Sequence, residues 1–228
     1  MKYKINSFVK SLISFVFLFT FITTGHAAGL GDTSKRGNSW EASFQTRYID
    51  SVDIDFEGGA KASLNDNLGW AIGIGYNFDK NWAVNFDIGW SEVGYSGTRI
   101  DDNSNPQTVS GTLNTSSFNI NSIYHFSPKR FTPFIGASVG MTFIDTNIPN
   151  GDSQTVCWYD PWWGYICESY NPTKTTSEFN YGAVVGLRFE VTNNLFFSGS
   201  YGKQWIDFSN AASTTNLDIY RFSVGFMF

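Results

Sequence analysis

Leu68-Gly69-Trp70-Ala71-Ile72-Gly73-Ile74-Gly75-Tyr76-Asn77-Phe78 follows a single rule along its length. Trp70, Ile72, Ile74, Tyr76 and Phe78 share one parity, and Gly69, Ala71, Gly73, Gly75 and Asn77 share the other. A period of two belongs to an extended strand, in which successive side chains point to opposite faces. One face is apolar and aromatic, and the other is nearly bare. The turn Asp79-Lys80-Asn81 follows, and then the rule resumes, with Trp82, Val84, Phe86, Ile88 and Trp90 opposite Ala83, Asn85, Asp87 and Gly89.

The same unit recurs on both sides of this hairpin. Upstream, Trp40, Ala42, Phe44, Thr46 and Tyr48 oppose Glu41, Ser43, Gln45 and Arg47. Downstream, Phe118, Ile120, Tyr124 and Phe126 mark a fourth strand that ends in Ser127-Pro128-Lys129-Arg130. Ile135, Ala137, Val139, Met141 and Phe143 mark a fifth, against Gly136, Ser138, Gly140 and Thr142. The sixth sets Phe179, Tyr181, Ala183, Val185, Leu187 and Phe189 against Asn180, Gly182, Gly186, Arg188 and Glu190. Residues 195–206 and 217–228 complete a set of eight, and no helical period competes with them. Connections at 79–81, 127–130 and 192–194 are short, whereas those at 50–67, 99–112, 149–176 and 207–216 are long. Residues 53–64 fit a partly extended first loop, since a ninth strand would place the chain end on the wrong side.

Charged residues make up 15% of the chain and aromatic residues 18%. Soluble surfaces usually carry about 25–35% charged residues, so this chain is poorly equipped to face water. The bare face, built of Gly, Ala, Ser and Asn with a few charges, would also make a poor solvent surface. It fits the crowded interior of a narrow barrel, with the apolar face turned to hydrocarbon. Lipid cannot satisfy an open sheet edge, so a spanning sheet has to close. The predicted fold is therefore all-β, an eight-stranded antiparallel up-and-down transmembrane β-barrel with short periplasmic turns and longer outer loops. Trp40, Trp82 and Phe228 would lie in a lower aromatic girdle, and Tyr48, Trp70, Trp90, Trp205 and Tyr220 in an upper one. Lys203 is the misfit on the lipid face, to be accommodated by snorkelling or by a bulge.

Residues 1–27 have the three parts of a secretory signal: basic Lys2, Lys4 and Lys10, an apolar run from Leu12 to Ile22, and small Gly25 and Ala27 at −3 and −1. The predicted organisation is a signal peptide at 1–27, a short periplasmic segment at 28–38 and the barrel at 39–228, with no periplasmic anchoring domain. Cleavage near Ala27 removes three lysines and leaves 12 basic against 20 acidic residues, a net charge of −8. That balance argues against a nucleic-acid partner.

The chain ends on Tyr220, Phe222, Val224, Phe226 and Phe228, apolar at every second position to a terminal Phe. This pattern resembles the C-terminal strand of outer-membrane barrels, where it serves as the signal read by the barrel-assembly machinery. Together with residues 136–143 and 179–189, it makes the chain similar to the OmpX/opacity/OmpW-type family of small porin-like barrels over nearly all of residues 40–228. The resemblance implies residence in the outer membrane of a Gram-negative cell, in contact with lipid and lipopolysaccharide. It implies little about activity, because that family includes adhesins, small-molecule conduits and proteins of no known role.

Three groups of residues are candidates for function. Glu41, Arg47, Asp87, Arg188, Glu190 and Arg221 share the inward parity with mixed signs, as a polar conduit or as a packed ionic plug; the small bore of eight strands favours the plug. Cys157 and Cys167 lie in the longest outer loop of an exported chain, which predicts a disulfide. Closing that loop of about 11 residues would restrain the unfolded chain by roughly 2–3 kcal/mol. Without a nearby histidine the two cysteines cannot complete a metal site, and neither a metal nor a cofactor is expected. Between them, Trp158, Tyr159, Trp162, Trp163 and Tyr165 form either a self-packed loop core or a contact surface for a surface ligand. His125-Phe126-Ser127 superficially resembles the His-x-Ser of lipid A deacylases, but it falls at the periplasmic turn. No acidic residue follows at 12–14 positions on a matching face, so no catalytic residues are assigned. The leading expectation is a structural or surface-interaction barrel with a mostly plugged lumen. The alternative, an OmpW-like passage for small hydrophobic molecules, would require an apolar lumen and a lateral opening, where the sequence predicts a Gly- and charge-lined interior.

Overall fold

The structure is a computed structural model describing residue 29 and residues 31–55, 61–100, 106–149, 154–170, 173–208 and 214–228. The proposed signal peptide lies outside these residues. The described residues form twelve strands: β1 (Ser39–Ile49), β2 (Val52–Asp55), β3 (Lys61–Leu64), β4 (Asn67–Asn77), β5 (Trp82–Ile100), β6 (Pro106–His125), β7 (Phe131–Pro149), β8 (Gln154–Asp160), β9 (Gly164–Tyr170), β10 (Thr173–Glu190), β11 (Leu195–Ile206) and β12 (Thr215–Met227). Eight of them, β1, β4, β5, β6, β7, β10, β11 and β12, pair antiparallel in chain order, and β12 returns to β1 to close the barrel. The first and last strands meet over nine residue pairs, from Glu41 opposite Met227 to Ile49 opposite Ile219. Trp40 and Phe228 extend the seam by exchanging backbone N–H···O bonds at 2.9 Å in both directions.

The parity read from the sequence is the parity of the wall. Trp40, Phe44, Trp70, Ile74, Phe86, Ile120, Val139, Val185 and Phe226 are exposed outward, whereas Ala71, Ala83, Glu41, Asp87, Asn180 and Arg188 are buried inside. Aromatic rings pair across neighbouring strands at both ends of this outer face. Near the turns, Trp40 meets Tyr76 with centroids 5.1 Å apart and Trp82 meets Tyr124 at 4.9 Å. At the opposite end, Trp70 stacks on Trp90 at 4.5 Å and Tyr181 on Trp205 at 5.5 Å. Lys203 needs no bulge: β11 keeps its register, and the lysine lies opposite Asp218, whose carboxylate it meets at 3.4 Å. Both groups are part-exposed at the outer end of the belt, where Tyr201 also donates to Asp218 at 2.6 Å.

One expectation about the outer end is corrected. The long connection at 99–112 is mostly strand, because β5 and β6 stay paired from Trp82 opposite Tyr124 to Ile100 opposite Pro106. A barrel strand needs only about 9–11 residues to cross the bilayer, and β5 has 19. Beyond the membrane the ladder continues in polar residues such as Ser96, Thr98, Thr108 and Ser110, which lack the apolar alternation that marks the lipid-facing part. Residues 53–64 are partly extended as expected, and what the sequence did not show is their pairing: β2 pairs with β3, and β3 with β5, raising the wall on one side. In the longest connection, β8 and β9 form a separate two-stranded sheet, with no ladder to the barrel among the described residues.

Candidate functional site

The lumen is built in layers. At the end carrying the short turns, the segment before β1 bends inward, anchored by a bridge between Thr33 and Lys129, and buries Ser34 and Arg36 completely. The Arg36 guanidinium donates to Glu190 Oε1 at 2.9 Å and to three turn carbonyls: Lys80 at 2.6 Å, Ser127 at 2.5 Å and Lys129 at 3.1 Å. Ser34 Oγ lies 2.8 and 2.6 Å from the two Glu190 oxygens. One cation thus ties the N-terminal segment to three barrel elements. Desolvation holds the Arg36 pKa below its ordinary value, against the opposing pull of Glu190.

The next residues upward belong to the same network. Arg188 donates to Glu41 Oε2 at 2.9 Å, and its Nε stands 3.5 Å from Glu190 Oε1. Glu41 Oε2 also accepts from Asn77 Nδ2 at 3.0 Å. Arg188 lies over the Phe196 ring, 3.6 Å from its centroid. Gly225 is the reason that the ring fits: a Cβ there would stand 2.2 Å from the Phe196 edge. Two arginines against two glutamates make this layer electrically neutral, as groups removed from water require.

The mid-barrel layer centres on Asp87. Arg47 Nη2 donates to its Oδ1 at 2.5 Å and Asn121 Nδ2 to its Oδ2 at 2.5 Å, with Asn119 Nδ2 adding a 3.2 Å bond. Arg221 is opposite Arg47 in the β1–β12 register and forms no ion pair or hydrogen bond among the described residues. The six inward charges inferred from the sequence therefore lie in two layers, with Arg221 beside the second. Arg36, which completes the lower layer, was missed because it precedes the alternating region. His125 is buried beside Phe134, with ring centroids 5.7 Å apart, and neither ring nitrogen has a partner. Among the described residues no acid or hydroxyl orients it as a base.

A cavity of about 50 Å³ lies between the layers, bordered by Glu41, Arg188, His125 and Phe196. Above Arg47 the interior changes character. A cavity of about 540 Å³ opens toward the longer loops, walled by Ile54, Val93, Leu113, Ile144, Ile206 and Ile219, with Thr142, Glu178 and Gln204 among the polar groups of its lining. This corrects the expectation of a Gly- and charge-lined interior: the inner half of the barrel is ionic and the outer half is an apolar cup. Much of the cup wall comes from β2 and from the outer ends of β5, β6 and β7, stretches that read as loop or carry weak alternation.

Cys157 and Cys167 face each other in the β8–β9 register and are joined as a disulfide. The aromatic residues between them do not pack into a core. Tyr159 is 75% exposed, Trp162 88%, Trp163 80% and Tyr165 72%, with Trp158 at 41%.

The pattern of the outer membrane protein beta-barrel domain family matches residues 15–228. Among solved structures, the chain is similar to the outer membrane protein OprG of Pseudomonas aeruginosa, with 11% identity and a TM-score of 0.54 over 88% of this chain and 99% of that one. It is also similar to neisserial surface protein A, with 13% identity and a TM-score of 0.49 over 82% of this chain and 95% of that one. The attachment invasion locus protein Ail of Yersinia pestis, solved with the heparin analogue sucrose octasulfate, gives 13% identity and a TM-score of 0.45 over 83% and 99%. No curated protein matches the chain. At 11% identity the likeness to OprG concerns the fold alone.

Proposed function

The chain belongs to the outer membrane protein beta-barrel domain family and resides in the outer membrane, and from that premise we propose that it is a closed barrel acting through its outer loops, in a structural or cell-surface interaction role. The observation that carries this reading is the pair of charge layers across the lumen. Any axial path would have to part the Arg36–Glu190 and Arg188–Glu41 pairs of the lower layer, whose side chains are at most 4% exposed, and the Arg47–Asp87 pair of the layer above. Breaking one such pair by removing a partner costs about 3–5 kcal/mol, so spontaneous opening is rare. Purified protein in planar bilayers is expected to give no large stable conductance steps, and such steps would overturn the reading.

A second reading, passive passage of small hydrophobic molecules, is favoured by the apolar cup alone. Because the charge layers lie beneath it, a molecule entering the cup would have to leave sideways through the wall. Protein-dependent transfer of an uncharged hydrophobic dye into vesicles that remain tight to ions would support this route.

Biogenesis follows from the same reading. Residues 1–27 act as a cleaved signal, and the stripe Tyr220, Phe222, Val224, Phe226 and Phe228 acts as the assembly signal. N-terminal sequencing of the protein from outer membranes is expected to begin at Ala28. A Phe228→Ser variant is expected to reach the membrane in a smaller folded fraction.

A further inference from the structure

The β8–β9 hairpin lies outside the barrel ladder and leaves its largest apolar side chains exposed. Trp162 and Trp163 occupy the turn, Tyr159 and Tyr165 are cross-strand partners just behind it, and Trp158 is opposite Ile166. An exposed apolar patch of this kind marks an interaction site more often than it decorates a monomer. The tip is also held in one shape. The disulfide closes its base, and Asp160 Oδ1 accepts the backbone N–H groups of Trp162 at 2.8 Å and Trp163 at 2.9 Å. Gly164 takes φ +76°, which a side-chain-bearing residue rarely adopts, so the four aromatic rings are presented on a turn already ordered. Binding by such a tip loses little conformational freedom.

Charge narrows the class of partner. Across residues 154–170 the only charged side chains are Asp160 and Glu168, with no Lys, Arg or His. A hairpin with two carboxylates and no cation is repelled by anionic lipid, by phosphate-rich lipopolysaccharide and by sulfated glycans. Tryptophan and tyrosine instead favour the headgroup level of a bilayer, where one end of the ring is apolar and the other wet. Their faces also attract quaternary ammonium groups. We infer that the β8–β9 hairpin is a preformed aromatic probe for a zwitterionic, phosphocholine-bearing bilayer facing the outer surface of the barrel, with Trp162 and Trp163 entering the headgroup layer.

This inference rests on the surface-interaction reading and gives it a ligand. The test uses the full barrel in nanodiscs of phosphatidylethanolamine and phosphatidylglycerol, co-sedimented with sucrose-loaded phosphatidylcholine vesicles. Binding is expected for the parent, to fall at least tenfold in Trp162→Ala/Trp163→Ala, and to fall several-fold when about a third of the lipid is replaced by phosphatidylserine. The Cys157→Ser/Cys167→Ser variant is expected to bind several-fold more weakly, because the tip is no longer held in shape. Heat-modifiable gel migration checks that each variant keeps its barrel. Unchanged binding by the double tryptophan variant, stronger binding with phosphatidylserine, or competition by a soluble neutral glucan would overturn the inference, the last in favour of a carbohydrate ligand. A parent that binds no vesicles yet stays closed in bilayers would refute the lipid and leave the surface reading standing, whereas conducting steps would remove that reading.

Discussion

Replacing Arg36 by methionine tests the closed lumen most directly. The substitution keeps an unbranched apolar stem but removes the cation between Glu190 and three turn carbonyls. Glu190 is then left 1% exposed, with Ser34 as a donor and Arg188 Nε at 3.5 Å as its remaining positive neighbour. Removing one partner of a buried pair costs about 3–5 kcal/mol because the other charge stays desolvated. The nearby Arg188 and the rim position of the three carbonyls, which can turn to water, place the expected loss at the lower end, about 3 kcal/mol. A second change, Glu190→Gln, removes the stranded charge, so the double variant is expected to regain at least about half of that loss, since a buried pair exchanged as a whole is often near neutral. Urea unfolding of the barrel in lipid vesicles, followed by tryptophan fluorescence, gives both values. A loss below about 1 kcal/mol for the single variant, or no recovery in the double, would refute the view that Arg36 is an internal strut and not a tail residue.

Other consequences are equally concrete. Gly225→Val places side-chain atoms where the Phe196 ring lies, so it is expected to destabilise the barrel by about 1–3 kcal/mol as an overpacked site; unfolding midpoints check it, and Phe196→Ala is expected to relieve part of the cost. Asp79, in the first short turn, accepts the backbone N–H groups of Asn81 at 2.6 Å and Trp82 at 2.7 Å, which hold its carboxyl below the ordinary carboxylate range. A depressed folded pKa stabilises above the unfolded value and is lost as pH falls through the folded one, so the difference between parent and Asp79→Asn is expected to be present at pH 7 and to close below about pH 4, read from unfolding midpoints across that range. Reduction of the Cys157–Cys167 bridge is expected to leave the barrel's heat-modifiable transition unchanged, because β8 and β9 form a sheet of their own.

The candidate site was legible in part. Glu41, Arg47, Asp87, Arg188 and Glu190 stood out because a charge on the bare parity of a lipid-crossing strand has nowhere to point but the lumen. Their partners did not stand out. Arg188 meets Glu41 across 147 positions of chain, and Arg47 meets Asp87 across 40; such pairs depend on the stagger of the closed barrel, which no local pattern encodes. Arg36 lies outside any periodic stretch. The apolar cup escaped because its walls include Val52, Ile54, Val93 and Leu113, which sit where the alternation fades into polar extensions beyond the membrane.

By itself the sequence determined that this chain closes into an eight-stranded barrel with its aromatic parity in lipid. Period-two alternation with one bare face has a single solution in a solvent that cannot bond an open edge. Only the tertiary structure decided at which depth each inward residue lies, and therefore that the charges gather in the inner half under an apolar outer cup. Depth depends on strand tilt and register shift, which arise when β12 returns to pair with β1 and are properties of the closed wall, not of any one strand.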